Sequence, residues 1–136
     1  MKSKFLFFTF SIFLIFLLNS VSAVAVYGDW EDGSQSIQIS SGENINFSAD
    51  FFSMNPPTTL NIKLYDSRSN LVHSFENNRV VSTNGFAKTY TITNAIYQVA
   101  GNFELVLSGS DASSNSDSYT LDLIVTSASG NNPPVI

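Results

Sequence analysis

The sequence predicts an all-β chain, an antiparallel β-sandwich of about seven strands preceded by a signal peptide. Short segments with a period of two recur along it, each bounded by Gly, Pro, Asn, Asp or Ser clusters. Outside the leader, no stretch keeps helical periodicity over a useful length. The run from Tyr97 to Gly109 joins a tyrosine-bearing corner to a strand with Phe103, Leu105 and Leu107 on one face. A tyrosine at such a corner can lay its ring on the core and return its hydroxyl to nearby backbone.

The elements follow in order. Lys2 and Lys4 precede an apolar run from Phe5 to Leu18, broken only by Thr9 and Ser11. A run of 14 residues is short for a membrane span, which needs about 20. Small residues around Ala23 and Ala25 complete a secretory signal, with cleavage expected after one or the other. Residues 1–23 are therefore assigned to the signal peptide, 24–34 to an irregular lead-in, 35–126 to the sandwich, and 127–136 to a linker toward a next domain. The lead-in is expected to be irregular because Tyr27-Gly-Asp-Trp-Glu-Asp-Gly33 carries three carboxylates and the only Trp.

Ile37 and Ile39 alternate over 36–40, and Ser41-Gly42 turns the chain. Ile45, Phe47 and Ala49 then face inward, with Asn44, Asn46 and Ser48 outward. Asn55-Pro56-Pro57 forces a loop, since paired prolines donate nothing to a ladder. Leu60, Ile62 and Leu64 form the next inward row. Residues 71–75 predict a weaker strand of unassigned face, 76–79 a turn, and Val80-Val81 a short edge strand. Tyr90 and Ile92 point inward from 86–93. After the Phe103 strand comes a Ser/Asn/Asp loop, and Tyr119, Leu121, Leu123 and Val125 close the domain. Val106 and Ile124 fall on the outside by the same alternation.

Several motifs now resemble a known family. Tyr97-x-x-Ala100-Gly101-x-Phe103-x-Leu105-x-Leu107 is similar to a run found in PKD-type (polycystic-kidney-disease) and related immunoglobulin-like repeats of prokaryotic surface proteins. Gly42-Glu43-Asn44-Ile45-Asn46-Phe47-Ser48-Ala49 resembles their second strand, and Asn132-Pro133-Pro134-Val135-Ile136 the linker that opens a next repeat. The Trp-x-Phe-Gly-Asp-Gly signature of standard PKD repeats is absent, and Leu64-Tyr65-Asp66-Ser67 stands near its place. The resemblance is thus immunoglobulin-like and PKD-like. It implies an extracellular, non-catalytic module acting as structural spacer or adhesion unit. The alternative is a carbohydrate-binding module or an accessory domain of a secreted hydrolase.

Composition narrows the chemistry. Without Lys2 and Lys4, four basic residues stand against 11 acidic ones, a net charge of −7. That balance disfavours nucleic acid and anionic lipid, so neither nucleic-acid binding nor membrane insertion after signal cleavage is expected. The expected partners are other surface proteins, neighbouring immunoglobulin-like domains or polysaccharide. The absence of cysteine removes thiol chemistry and disulfides. His73, the only histidine, has no nucleophile elbow to serve, and no catalytic residue is assigned.

Calcium takes loop oxygens, which makes Asp29, Glu31, Asp32, Asp111 and Asp117 candidate ligands, with Asp66 in a further turn. No other cofactor is expected. Trp30, Tyr27 and Tyr65 are candidate rings for stacking a sugar, with Trp30 alternatively covering an open end of the sandwich. Asn46-Phe47-Ser48 is a single N-glycosylation sequon on a solvent face.

Overall fold

The computed structural model describes residues 24–128. The signal segment and residues 129–136, most of the expected linker, lie outside the described residues. Eight strands and one helical turn follow in order: β1 (Val24–Trp30), β2 (Ser36–Ser40), β3 (Ile45–Ser53), β4 (Thr58–Asp66), β5 (Leu71–Val81), β6 (Gly85–Ile92), α1 (Asn94–Tyr97), β7 (Gly101–Ser110) and β8 (Ser116–Thr126). They form a three-stranded sheet ordered β1-β3-β6 and a five-stranded sheet ordered β2-β8-β7-β4-β5. The protein is an immunoglobulin-like β-sandwich.

Two expectations are corrected. Residues 24–30 are a strand, not an irregular lead-in: β1 pairs antiparallel with β3 from Val24↔Ser53 to Trp30↔Phe47. Val24, Val26, Gly28 and Trp30 turn inward, which leaves Tyr27 and Asp29 on the outer side. The acidic content that suggested a loop belongs to that outer side and to the following turn. Residues 71–81 are also one strand, not a strand, turn and edge piece. A bulge absorbs the break in alternation: Asn78 adopts a left-handed φ of 54° while the Asn61 side chain accepts its amide at 2.9 Å.

Not all pairing is antiparallel, because the first part of the chain changes sheets. After β1 it crosses through residues 31–35 and continues in the same direction as β2. There it pairs parallel with β8, from Ser36↔Asp122 to Ser40↔Thr126. One extended segment therefore covers an edge of both sheets. The crossing is tight. A Cβ on Gly28 would lie 2.8 Å from Leu107 Cδ2 of the other sheet and 3.1 Å from the Ser48 carbonyl of β3, so a larger residue there would have to push both aside.

The inward rows from β3, β4, β7 and β8 meet as expected, and Leu60, Ile62, Leu64, Leu105, Leu107, Leu121 and Leu123 are fully buried. Phe47 is the aromatic hub. Its ring lies 5.0 Å from Tyr90, stacked, and meets Phe75 and Trp30 edge-on at 5.2 and 6.0 Å.

Two carboxylates fasten the sides of the sandwich. On one side Asp117 of β8 accepts the Val26 amide of β1 at 2.9 Å. On the other, Glu76 of β5 accepts the Tyr90 hydroxyl of β6 at 2.8 Å and lies 4.0 Å from Lys88. Burial, reinforced by the Glu76 carboxylate, pushes the Tyr90 phenol well above its usual range.

Tyr97 completes the frame. It is 2% exposed; its hydroxyl donates to the Glu43 carbonyl and accepts the Gly42 amide, both at 2.8 Å. The α1–β7 corner is thereby tied to the β2–β3 turn, more than fifty residues away in sequence.

The two ends of the described chain lie at opposite poles. Val24 pairs with Ser53 beside the 54–57 loop, where the Asn55 carbonyl accepts the Ala112 amide. Thr126 pairs with Ser40 beside the turn that Tyr97 holds.

Candidate functional site

The expected calcium ligands do not converge. Among the described residues, no group of three or more His, Asp or Glu side chains is placed to hold a metal ion. Except at Asp29, their oxygens are spent within the fold, and one geometry occurs twice. In the β4–β5 turn Asp66 Oδ1 accepts the amides of Arg68 and Asn70, each at 2.9 Å, and Oδ2 accepts the Asn70 side chain at 3.2 Å. In the β7–β8 turn Asp111 does the same with Ser113, Asn115 and the Asn115 side chain, at 2.9, 2.9 and 3.1 Å. Ser69 and Ser114, the fourth residues of the two turns, both take a left-handed φ, 64° and 67°. Both segments read Asp-x-x-Ser-Asn, a side-chain-nucleated turn used twice.

The protonation preferences follow. At Asp66 the Asn70 amide is the strongest influence and outweighs desolvation, so the carboxyl sits below its ordinary value. At Asp111 desolvation alone would raise it, but hydrogen bonds from the Asn115 side chain and from the Asn115 and Ser113 amides together prevail. Asp32 is lowered too, mainly by the Ser34 hydroxyl and then by the Ser34 amide. Asp117 serves Val26, and Glu31 Oε1 accepts the Asn46 amide at 3.4 Å. Of the five primary calcium candidates, Asp29 alone has a side chain without such a partner among the described residues.

The three candidate sugar-stacking rings are also separated. Trp30 is 1% exposed and donates its indole N–H to the Gln35 carbonyl at 3.3 Å, so it offers no face to solvent. Its inward position follows from the β1 alternation. Tyr65 is half-buried on the outer side of the five-stranded sheet, opposite Glu104. Tyr27 lies on the outer side of the other sheet and is 51% exposed. Its ring is braced by Tyr119 at 5.2 Å.

Asn46 is exposed on the outer face of β3, and its side-chain oxygen accepts the Thr91 hydroxyl at 2.6 Å. His73 is half-buried with its ring 4.6 Å from Phe75. Val106 and Ile124 lie outward, but the Glu104–Asp122 pair separates them along the β7–β8 ladder.

Residues that sequence reasoning passed over lie next to Tyr27. Carrying the β3 alternation one step past Ala49 puts Phe51 inward and Asp50 and Phe52 outward, and Phe52 is 50% exposed. On the outer face the register aligns Ala25–Phe52–Gly85, then Tyr27–Asp50–Ala87, then Asp29–Ser48–Thr89. A shallow groove of about 440 Å³ runs along the last two rows.

The sheet order, the strand that changes sheets and the tyrosine corner define the class as an immunoglobulin-like β-sandwich. No protein-family model matches the chain, and no curated protein does so either. Among solved structures, it resembles the CARDB domain of a Pyrococcus furiosus protein determined with di-metal ions. That likeness has a TM-score of 0.53 at 12% identity and covers 79% of this chain and 90% of that one. A β-glucosidase from Listeria innocua matches with a TM-score of 0.49 at 13% identity, over 79% of this chain but 17% of the enzyme. Domain 1 of VCBP3 from Branchiostoma floridae matches with 0.47 at 12% identity, over 77% of this chain and 96% of that domain. At these identities the CARDB likeness shows the fold alone.

Proposed function

We propose that the protein is a non-catalytic, PKD-like module of the cell exterior, serving as a structural spacer or adhesion unit. The observation that carries this reading is the position of Val24 and Thr126, near the ends of the described residues, at opposite poles of the sandwich. Such a module passes the chain from one end to the other, so copies or neighbouring domains joined through their termini line up end to end. Fastening of both open sides by Asp117 and Glu76, and the tyrosine tie at one pole, suit a unit that keeps its shape without disulfides. The side chains best placed for chemistry are spent on packing: His73 on Phe75, Asp66 and Asp111 on their own turns.

The test is the fate of the leader when the full chain is produced in a secreting host. Val24 is 3% exposed and anchors the start of β1. Cleavage after Ala25 would delete it and shorten that strand, so the mature protein should begin at Val24. Mass spectrometry of material recovered outside the cell measures this directly. A folded product kept in the cytosol with Met1 to Ala23 intact overturns the reading.

A further inference from the structure

We propose that the outer face of the three-stranded sheet binds a neutral polysaccharide, with Tyr27 as the stacking ring and Asp29 and Asp50 as acceptors for sugar hydroxyls. The inference rests on the surface-module reading and gives its adhesive role a ligand. Tyr27 is half exposed, and Tyr119 behind it fixes the ring, so little freedom remains to be lost on binding. Sugar rings present C–H groups to such a face and hydroxyls at their edges. Directly across the strand pair from Tyr27 stands Asp50, and one row further Asp29 faces Ser48. The rows lie about 7 Å apart along the strands.

The carboxylates supply the acceptors, and the exposed ring sets this face apart: Glu104 and Asp122 on the other sheet are equally without a side-chain partner among the described residues, but the Tyr65 beside them is half-buried. Asp32, Asp66, Asp111 and Asp117 all accept hydrogen bonds within the fold, whereas Asp29 and Asp50 have no side-chain partner among the described residues. Two carboxylates left open beside a braced ring can each take a pair of hydroxyl donors. Across the groove stand Ala87 and Thr89, too short to obstruct a chain lying over the sheet. The one base at its rim, Lys88, has its ammonium 4.0 Å from Glu76 and 5.1 Å from the Tyr90 ring centre. An acidic glycan would therefore meet two carboxylates against one lysine, itself directed at Glu76. Phe52, diagonal to Tyr27 between Ala25 and Gly85, extends the platform by a second exposed ring.

The experiment is affinity electrophoresis of the full chain as secreted, in gels carrying hydroxyethylcellulose, xylan or alginate, with sedimentation on insoluble cellulose and chitin. At least one neutral polymer should retard or sediment the protein, and alginate should not. Tyr27→Ala and Asp50→Asn should each weaken binding about tenfold, the scale of one aromatic contact or one good hydrogen-bond pair. Tyr27→Phe should bind as the parent, and Tyr65→Ala, on the opposite sheet, should have no effect. Both weakened variants alter exposed side chains, and unchanged melting curves will show that they fold.

Binding to none of the neutral polymers, preference for alginate, or parental affinity in Tyr27→Ala or Asp50→Asn overturns the proposal. Weakened binding in Tyr65→Ala does so as well. Failure here leaves the cell-exterior reading to its own test, since the mature N-terminus is measured without any sugar.

Discussion

Replacing Tyr97 with Phe isolates the hydroxyl that ties the α1–β7 corner to the β2–β3 turn. The ring is 2% exposed and packs on Phe103 at 6.3 Å, so Phe fills the same space and the core keeps its volume. What is lost is a donor to the Glu43 carbonyl and an acceptor for the Gly42 amide. A pair of orphaned, fully buried groups would cost several kcal/mol. Gly42 and Glu43 are exposed residues, however, so water can take up the freed groups, and the expected cost is about 1–2 kcal/mol. Unfolding entropy for a domain of this size is about 0.2 kcal/mol/K, so the melting temperature should fall by about 5–10 °C. Thermal unfolding followed by circular dichroism measures the fall. Urea unfolding should show a lower midpoint at unchanged slope, because the surface exposed on unfolding is the same. Tyr97→Ala, which also empties the ring's site, should cost about 3–5 kcal/mol and approach the whole stability of a small domain. An unchanged melting point in Tyr97→Phe would refute the tie. A fall as large as that of Tyr97→Ala would refute the separation of hydroxyl from ring.

The remaining predictions concern the carboxylates. Asp66 and Asp111 are held below the ordinary value of 3.8 when folded, so their contribution is full above that value and is lost as pH falls through the lower folded one. The double variant Asp66→Asn/Asp111→Asn should melt lower than the parent at pH 7 but lose less stability between about pH 5 and pH 2; parallel curves would refute the assignment. Asp117→Ala removes the acceptor of the Val26 amide and should cost about 1–2 kcal/mol. Hydrogen exchange should then quicken at Val26 more than at Gly109, and uniform quickening would mean that Asp117 does not fasten β1 to β8.

Alternation made most of this fold legible, because a period of two says which residues share a face wherever that face is buried. The rows Ile45–Phe47–Ala49, Leu60–Ile62–Leu64 and Leu121–Leu123–Val125 needed nothing more. It failed where a local charge or a bulge masks the period. In β1 the inward Gly28 carries no side chain to display the pattern, and the neighbouring Asp29, Glu31 and Asp32 imitate a loop. In β5 the left-handed Asn78 shifts the phase, so one strand looks like two pieces and a turn. The parallel β2–β8 pair left no trace in the sequence, since β2 alternates in the same way whichever direction its partner runs.

The candidate site was less legible for a related reason. Eleven acidic residues look alike in a sequence, and loop position made those in turns the natural ligand candidates. Turn position is also where a carboxylate most easily folds back on the next amides, and Asp32, Asp66 and Asp111 do so. On a strand the following amides point sideways into the ladder, out of reach of a side chain that stands perpendicular to the sheet. A carboxylate such as Asp50 or Asp29 on the outer face therefore keeps its oxygens free unless a neighbouring side chain supplies a donor. Here the cross-strand neighbours are Tyr27 and Ala87 in one row and Ser48 and Thr89 in the next, with the Ser48 and Thr89 hydroxyls 3.3 Å apart and paired to each other. The acids thus divide into those that close turns, such as Asp66 and Asp111, strand acids that take a donor from a neighbouring strand, Asp117 and Glu76, and strand acids left without one. Of the open ones, Glu104 and Asp122 lie on the five-stranded sheet, while Asp29 and Asp50 stand beside the most exposed tyrosine of the described chain.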